Sequence, residues 1–387
     1  RGDPLLTTAN QSTSPRRLTV VQMLPALDGG GVERGTIEIA AALVQAGHRA
    51  IVISEGGRLV EELEALGAEH VTLPVGRKSL LTLRFIPAVR RLLRDEHVDI
   101  LHLRSRLPAW IGYLAWKGMA ASTRPRLVTT VHGAYSPGRY SAVMTKGERV
   151  VAVSDSIVEY IRSNYRDVDP ERIVRIYRGI DPSDYHPAFR PDAAWRERFV
   201  AEHPQLEDRW VLSLPGRITQ LKGHLDLLEI VAGLKARGVP AHALLAGGVH
   251  PRRQTYWQGV QARIAELGLD DEVTWLGPRR DLREILAISD VVLSLTRKPE
   301  SFGRTVTEAL ALGRPVLGYD HGGVGEQLGQ VYPDGRIAPG AVEEAVERLA
   351  QWWHDGAPSV TEAVPFTLAR MQEETLALYQ SLAAERS

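Results

Sequence analysis

One stretch of the 387-residue sequence limits the fold more than any other: Leu293-Ser-Leu-Thr-Arg-Lys-Pro-Glu300-Ser-Phe-Gly-Arg-Thr-Val-Thr-Glu308-Ala-Leu-Ala-Leu-Gly-Arg-Pro-Val. It reads as strand, loop, helix and strand. Val291 to Leu295 is a short apolar run of the kind a parallel strand buried on both faces requires, and Pro299 and Gly303 interrupt the chain before a helix starts. Gly313 and Pro315 then stop that helix. Glu300 therefore falls in the loop beyond a strand's carboxyl end, and Glu308 on the first turns of the next helix. In open α/β sheets ligands bind at that edge.

The same alternation runs through the whole chain. An apolar strand at Leu18 to Leu24 leads into the loop Asp28-Gly-Gly-Gly-Val-Glu-Arg34 and a helix from Gly35 to Gln45. Strands are expected at Ala50 to Ser54, Val71 to Val75, Ile100 to Leu103, Leu127 to Val131, Val150 to Val153 and Ile173 to Ile176, with helical segments between them. A second series begins near Trp210, with strands at Val211 to Leu214, Ala243 to Ala246, Val273 to Leu276, Val291 to Leu295 and Val316 to Tyr319. The length also exceeds the roughly 250–300 residues that one core supports. The expected fold class is thus α/β, with two Rossmann-like, doubly wound domains. Residues 1–16, rich in Thr, Ser, Pro and Asn, read as a disordered lead-in. The expected division is an N-terminal domain over 17–182, a linker region over 183–209, a second domain over 210–365 and a C-terminal segment over 366–387 carrying a last helix. Arg178 to Pro187, irregular and broken by Gly179, Pro182 and Pro187, marks the crossover.

Composition removes several chemistries. There is no cysteine, hence no disulfide, thiolate nucleophile or zinc–thiolate site, and a cytoplasmic location is expected. No run approaches eighteen consecutive apolar residues. Formal charge is balanced at zero, and no nucleic acid is expected as a partner. Residues 77 to 126 nevertheless hold 11 basic against 3 acidic residues.

Candidate site residues lie where strands meet loops. The glycines at 29 to 31 miss the dinucleotide fingerprint, because Arg34 stands where its third glycine belongs; Glu55, at the end of the next strand, keeps a dehydrogenase open on this loop alone. A glycine-rich turn entering a helix suits an anion. His132-Gly133 lies just past a strand end. His102-Leu-Arg104-Ser-Arg106 ends another, where the two arginines either pair with acids across a loop or form an anion fork. In Pro215-Gly216-Arg217-Ile-Thr-Gln-Leu-Lys222, two cations beside a glycine turn can hold a diphosphate from two sides. Asp167-Val-Asp169 has the form of a metal motif but reads better as a capped helical turn before Pro170.

Glu300-x7-Glu308, with Ser-Phe-Gly after the first Glu and Glu-Ala-Leu-Ala-Leu-Gly-Arg-Pro-Val around the second, resembles the signature of retaining glycosyltransferases of family 4, of GT-B architecture. The resemblance runs from about Leu18 to the C-terminus and is strongest from Leu214 to Glu326. It implies two facing Rossmann-like domains with a cleft between them and a last helix packing back on the N-terminal domain. It also implies transfer from a UDP- or GDP-linked sugar to an envelope glycan or glycolipid acceptor, forming an α bond without a metal or other cofactor. By residue, it implies Arg217 and Lys222 on the diphosphate, Glu308 on the ribose, Glu300 on the transferred sugar and His132 against that sugar. Gly30, Gly31, Gly216, Arg279, Ser301, Phe302, Gly303 and Arg304 would complete the donor site, and Arg104, Arg106 and His132 would meet the acceptor. The alternatives are a nucleotide-sugar epimerase or hydrolase of the same architecture, or a non-catalytic sugar-nucleotide sensor. The basic stretch, interleaved with Leu80, Leu81, Phe85, Trp110 and Trp116, further suggests an anionic membrane surface as a partner, through residues about 77 to 117 at the inner face of the cytoplasmic membrane.

Overall fold

The computed structural model describes residues 16–385; residues 1–15 of the expected lead-in lie outside the described residues. The first sheet contains β1 (Thr19–Met23), β2 (Arg49–Ser54), β3 (Glu69–Thr72), β4 (Ile100–Leu103), β5 (Arg126–Val131), β6 (Arg149–Ala152) and β7 (Ile173–Arg175), in the order β3-β2-β1-β4-β5-β6-β7. The second contains β8 (Trp210–Pro215), β9 (Ala241–Ala246), β10 (Val273–Gly277), β11 (Val291–Ser294), β12 (Val316–Tyr319) and β13 (Arg336–Ile337), in the order β10-β9-β8-β11-β12-β13. The described pairings are parallel. Central strands such as β8 and β9 are buried along their whole length, which is why they read as continuous apolar runs. Strand order reverses between β1 and β4 and again between β8 and β11, so each sheet opens a crevice at its carboxyl edge there.

The chain forms two compact units. One comprises the residues through Thr129, Lys146–Glu148 and the chain from Gln372; the other comprises Thr130–Thr145 and Arg149–Met371. Within the first, the C-terminal part of the helix Leu368–Ala384 buries Tyr379, whose hydroxyl lies 2.5 Å from His102 Nδ1. Arg126 donates to the Leu382 carbonyl at 2.8 Å.

Several boundaries differ from the sequence reading. The first helix runs Gly31–Gln45, beginning four residues earlier than Gly35, because Gly30 is extended and Gly31 to Arg34 already wind, with Glu33 complementing the dipole of the first turn. β3 ends at Thr72, earlier than the apolar run suggested. Residues 193–202, read as linker, form a helix whose N-cap Asp192 accepts from Trp195 N at 2.7 Å. Trp195 stacks on Phe199 at 4.8 Å, and Phe199 packs with Val211, Leu244 and Ile285 in the core of the second sheet. Among the described residues no helix is long and apolar enough to cross a membrane.

Candidate functional site

The crevice between β8 and β11 collects the residues singled out by the sequence. After β8 the chain turns through Gly216 and Arg217 into a short 3-10 turn, Gln220–Lys222, and then the helix His224–Ala236. Gly223 heads that helix at φ +78°, and a Cβ there would lie 2.1 Å from the Leu295 carbonyl oxygen. Only glycine permits this approach of the two loops. Arg297 N donates to the Leu221 carbonyl at 2.8 Å, tying them again.

Lys222 and Glu300, 78 positions apart in the chain, consequently meet: Nζ lies 2.5 Å from Oε1, with the two side chains only partly exposed. The sequence reading gave Lys222 to a diphosphate and Glu300 to a sugar separately; the fold makes them an ion pair. Glu300 is held by two further contacts, one of them from a threonine that is itself anchored. Thr296 Oγ1 donates to the same oxygen at 2.8 Å, His321 Nε2 lies 2.8 Å from the Thr296 carbonyl, and Gly323 N donates to the Glu300 carbonyl at 2.8 Å. Beneath the loop, buried Asp226 accepts from Arg297 Nη2 and from the Tyr319 hydroxyl, each at 2.5 Å. Burial raises the Tyr319 hydroxyl well above its ordinary range, with Asp226 adding to the effect.

Gly303, at φ +88°, starts the helix Arg304–Ala311 from the left-handed region, which glycine enters without strain. Buried Gln327 fixes this turn, donating to the carbonyls of Phe302 at 2.6 Å and Gly303 at 3.1 Å while accepting from Thr307 Oγ1 at 2.6 Å. Glu308 is 7 % exposed and accepts from Arg304 Nε at 3.0 Å, and Tyr185 lies near enough to favour its charged form. Burial raises its carboxyl above the usual range despite these neighbours. Burial, and then the Glu308 charge, push Tyr185 up to about 12.

Other expected residues are placed differently. Arg217 is exposed, with no side-chain hydrogen bond or ion pair among the described residues. Arg279 is engaged by Asp281 through two bonds of 2.8 and 2.7 Å, and Trp195 Nε1 shares that carboxylate at 2.8 Å. Phe302 is buried between the rings of Tyr177 and Phe366, whereas Ser301 stays half-buried. His132, beyond β5, has Arg178 Nη1 at 3.4 Å from its Nδ1. Gly30 and Gly31 open the first helix of the other unit. Arg104 and Arg106 also lie there; Arg104 is buried and donates to Gln22 Oε1 at 3.1 Å, while Arg106 begins the helix Arg106–Lys117. Asp169 caps the turn Pro170–Arg172, accepting from Glu171 N at 3.0 Å, as the Pro-containing segment implied.

The reading missed Tyr185, Thr296, His321 and Asp226. Tyr185 sits in the irregular crossover, where no periodicity points inward. Asp226 had a usable signal, an acid two positions into a helix beside a lysine turn, but its partners are remote in sequence.

With this geometry in hand, comparisons with known proteins converge. Residues 29–184 match the family model described as Glycosyltransferase Family 4, and residues 196–364 that of Glycosyl transferases group 1. A glycosyltransferase from Rickettsia africae ESF-5 is 30% identical with a TM-score of 0.83, covering 95% of this chain and 98% of that one. Anabaena Alr3699/HepE, solved with UDP and glucose, superposes with a TM-score of 0.78 at 19% identity over 94% of this chain and 100% of its own. N-acetyl-alpha-D-glucosaminyl L-malate synthase of Bacillus anthracis is 29% identical over 320 residues, 79% of each chain.

Proposed function

This chain belongs to the group 1 glycosyltransferases of GT-B fold, and on that premise we propose that it moves a sugar from a UDP- or GDP-linked donor to an acceptor hydroxyl with retention of configuration. The observation that carries this reading is the Lys222–Glu300 ion pair at the β8/β11 switch point, with buried Glu308 one helix turn beyond Gly303 and Arg304. Lys222 and the unengaged Arg217 take the donor diphosphate. Glu308 accepts from the ribose hydroxyls, and Glu300 orients the transferred sugar through its remaining lone pairs. An ionised carboxylate makes charge-assisted bonds to vicinal hydroxyls that a neutral group of the same shape does not reproduce.

In the transfer step the bond from the sugar's anomeric carbon to the diphosphate oxygen breaks. The acceptor oxygen bonds that carbon from the same face, and its proton passes to a donor phosphate oxygen. Negative charge grows on the leaving diphosphate, and a positioned lysine and arginine stabilise it where it forms. No carboxylate acts as nucleophile, since Glu300 and Glu308 are committed to hydroxyls.

For the acceptor we favour an envelope glycan or glycolipid reached at the inner face of the cytoplasmic membrane. A second reading, a small anionic hydroxy compound, is supported by the likeness to the enzyme named for L-malate. Incubation of UDP- and GDP-sugars with both acceptor types in EDTA, with the product's anomeric configuration read by NMR, tests the proposal. An α-linked product formed without added metal is expected. An absolute need for manganese or magnesium, or a β-linked product, refutes it.

A further inference from the structure

Residues 77 to 94 carry leucines interleaved with cations, and the structure turns three of those leucines outward. Leu80–Phe85 form a 3-10 turn in which Leu80 is 87 %, Leu81 69 % and Leu83 45 % exposed, while the polar Thr82 is buried. The turn is built to present them. Ser79 Oγ accepts from Leu81 N at 3.2 Å, and Thr82 Oγ1 donates inward to the Arg77 carbonyl at 2.6 Å. Exposed leucines scattered singly are ordinary surface, but three within four positions on a hydrogen-bonded turn form a patch.

The charge around the patch selects what covers it. Between Glu69 and Asp95 there is no acidic residue and there are six basic ones: Arg77, Lys78, Arg84, Arg90, Arg91 and Arg94. Three of these are engaged: Arg77 pairs with Glu55, Arg94 pairs with Asp95, and Arg90 donates to the Ala115 and Leu114 carbonyls. Lys78, Arg84 and Arg91 are exposed and make no ion pair among the described residues; Arg84 lies 5.0 Å over the Phe85 ring. Leucines at the tip with free cations flanking them match an interface that is apolar inside and anionic at its edge.

We propose that the turn Leu80–Phe85 is a membrane-docking element: Leu80, Leu81 and Leu83 enter the acyl boundary of an anionic bilayer while Lys78, Arg84 and Arg91 meet its headgroups. This rests on the glycosyltransfer reading only for its purpose, bringing the enzyme to a glycolipid acceptor. It also narrows the surface expected from the sequence, about 77 to 117. Trp116 is buried, with its indole N–H donated to the Pro125 carbonyl at 2.7 Å, and Arg104 is buried too, so neither reaches a membrane.

The test is co-sedimentation of the full chain, without substrates, with vesicles of phosphatidylglycerol and phosphatidylethanolamine or of phosphatidylcholine alone. Wild type is expected to bind the anionic vesicles at low salt and to release them at high salt. A variant with Leu80→Ser, Leu81→Ser and Leu83→Ser should lose at least about tenfold in partitioning, because the apolar insertion is gone. A second, with Lys78→Glu, Arg84→Glu and Arg91→Glu, should fail to bind even at low salt. Both should keep the wild-type thermal shift with nucleoside diphosphates, a readout that tests the donor site separately. The proposal falls if wild type ignores anionic vesicles at low salt or if the leucine variant binds like wild type. It also falls if sedimentation velocity shows a dimer that the leucine substitutions dissociate, since the patch would then cover a second copy of the chain.

Discussion

Replacing Glu300 by Gln separates the two roles that the Lys222–Glu300 pair combines. The substitution keeps the side chain's shape and an oxygen to accept from Thr296, but removes the charge that faces Lys222 at 2.5 Å. On the sugar side, a carboxylate–hydroxyl bond becomes an amide–hydroxyl bond. Hydrogen bonds to charged groups contribute about 1.5–3 kcal/mol, so kcat/KM for the nucleotide-sugar should fall roughly ten- to a hundred-fold. On the phosphate side the effect has the opposite sign. Lys222 is released from a partly exposed pair, and such pairs are worth up to about 1 kcal/mol, so a bare nucleoside diphosphate should bind equally or up to about fivefold more tightly. Calorimetry with UDP or GDP and steady-state donor consumption on the same preparation read both numbers. A parallel loss of nucleoside diphosphate affinity and turnover would refute this division of labour, as would turnover that does not change.

Glu308 gives a pH signature. Its carboxyl is raised by burial, so the folded protein holds that proton more tightly than the unfolded chain; the stability it contributes is full below the ordinary carboxylate range and declines as pH rises through the raised value. Ribose recognition needs the ionised form, so donor KM should improve over that same rise, Tyr185→Phe should move the profile upward, and Glu308→Gln should flatten it. A wild-type profile in Glu308→Gln would contradict the assignment. Arg279→Ala removes two bonds to Asp281 and should cost about 1–3 kcal/mol of stability by thermal denaturation while leaving nucleotide affinity unchanged. An affinity loss with normal stability would instead support the donor contact expected of Arg279.

What the sequence made legible follows from which forces are local. β8, β11 and β12 were readable because burial on both faces writes an unbroken apolar run, and Gly303 and Gly313 bracket their helix by backbone requirements that act at one position. The helix Ala193–Glu202 was not, because few of its residues are buried and its packing depends on Val211, Leu244 and Ile285. β13, two residues long, carries no period at all. In the site, Glu300, Glu308, Arg217 and Lys222 were marked by motif spacing, but their pairing was invisible. Thr296, His321 and Tyr185 act through contacts that only the folded loops create.

Arg217 and Lys222, at the carboxyl end of β8, are assigned to the donor diphosphate, and a thermal-shift screen of nucleoside diphosphates checks that assignment without any acceptor present. At a hundred times its dissociation constant the right nucleotide adds about 2.7 kcal/mol of stability. We expect UDP or GDP to raise the wild-type transition in the presence of EDTA, and Arg217→Ala and Lys222→Ala each to abolish most of that rise with their unliganded transitions unchanged. No response to either nucleotide, or a full response in both variants, would contradict it.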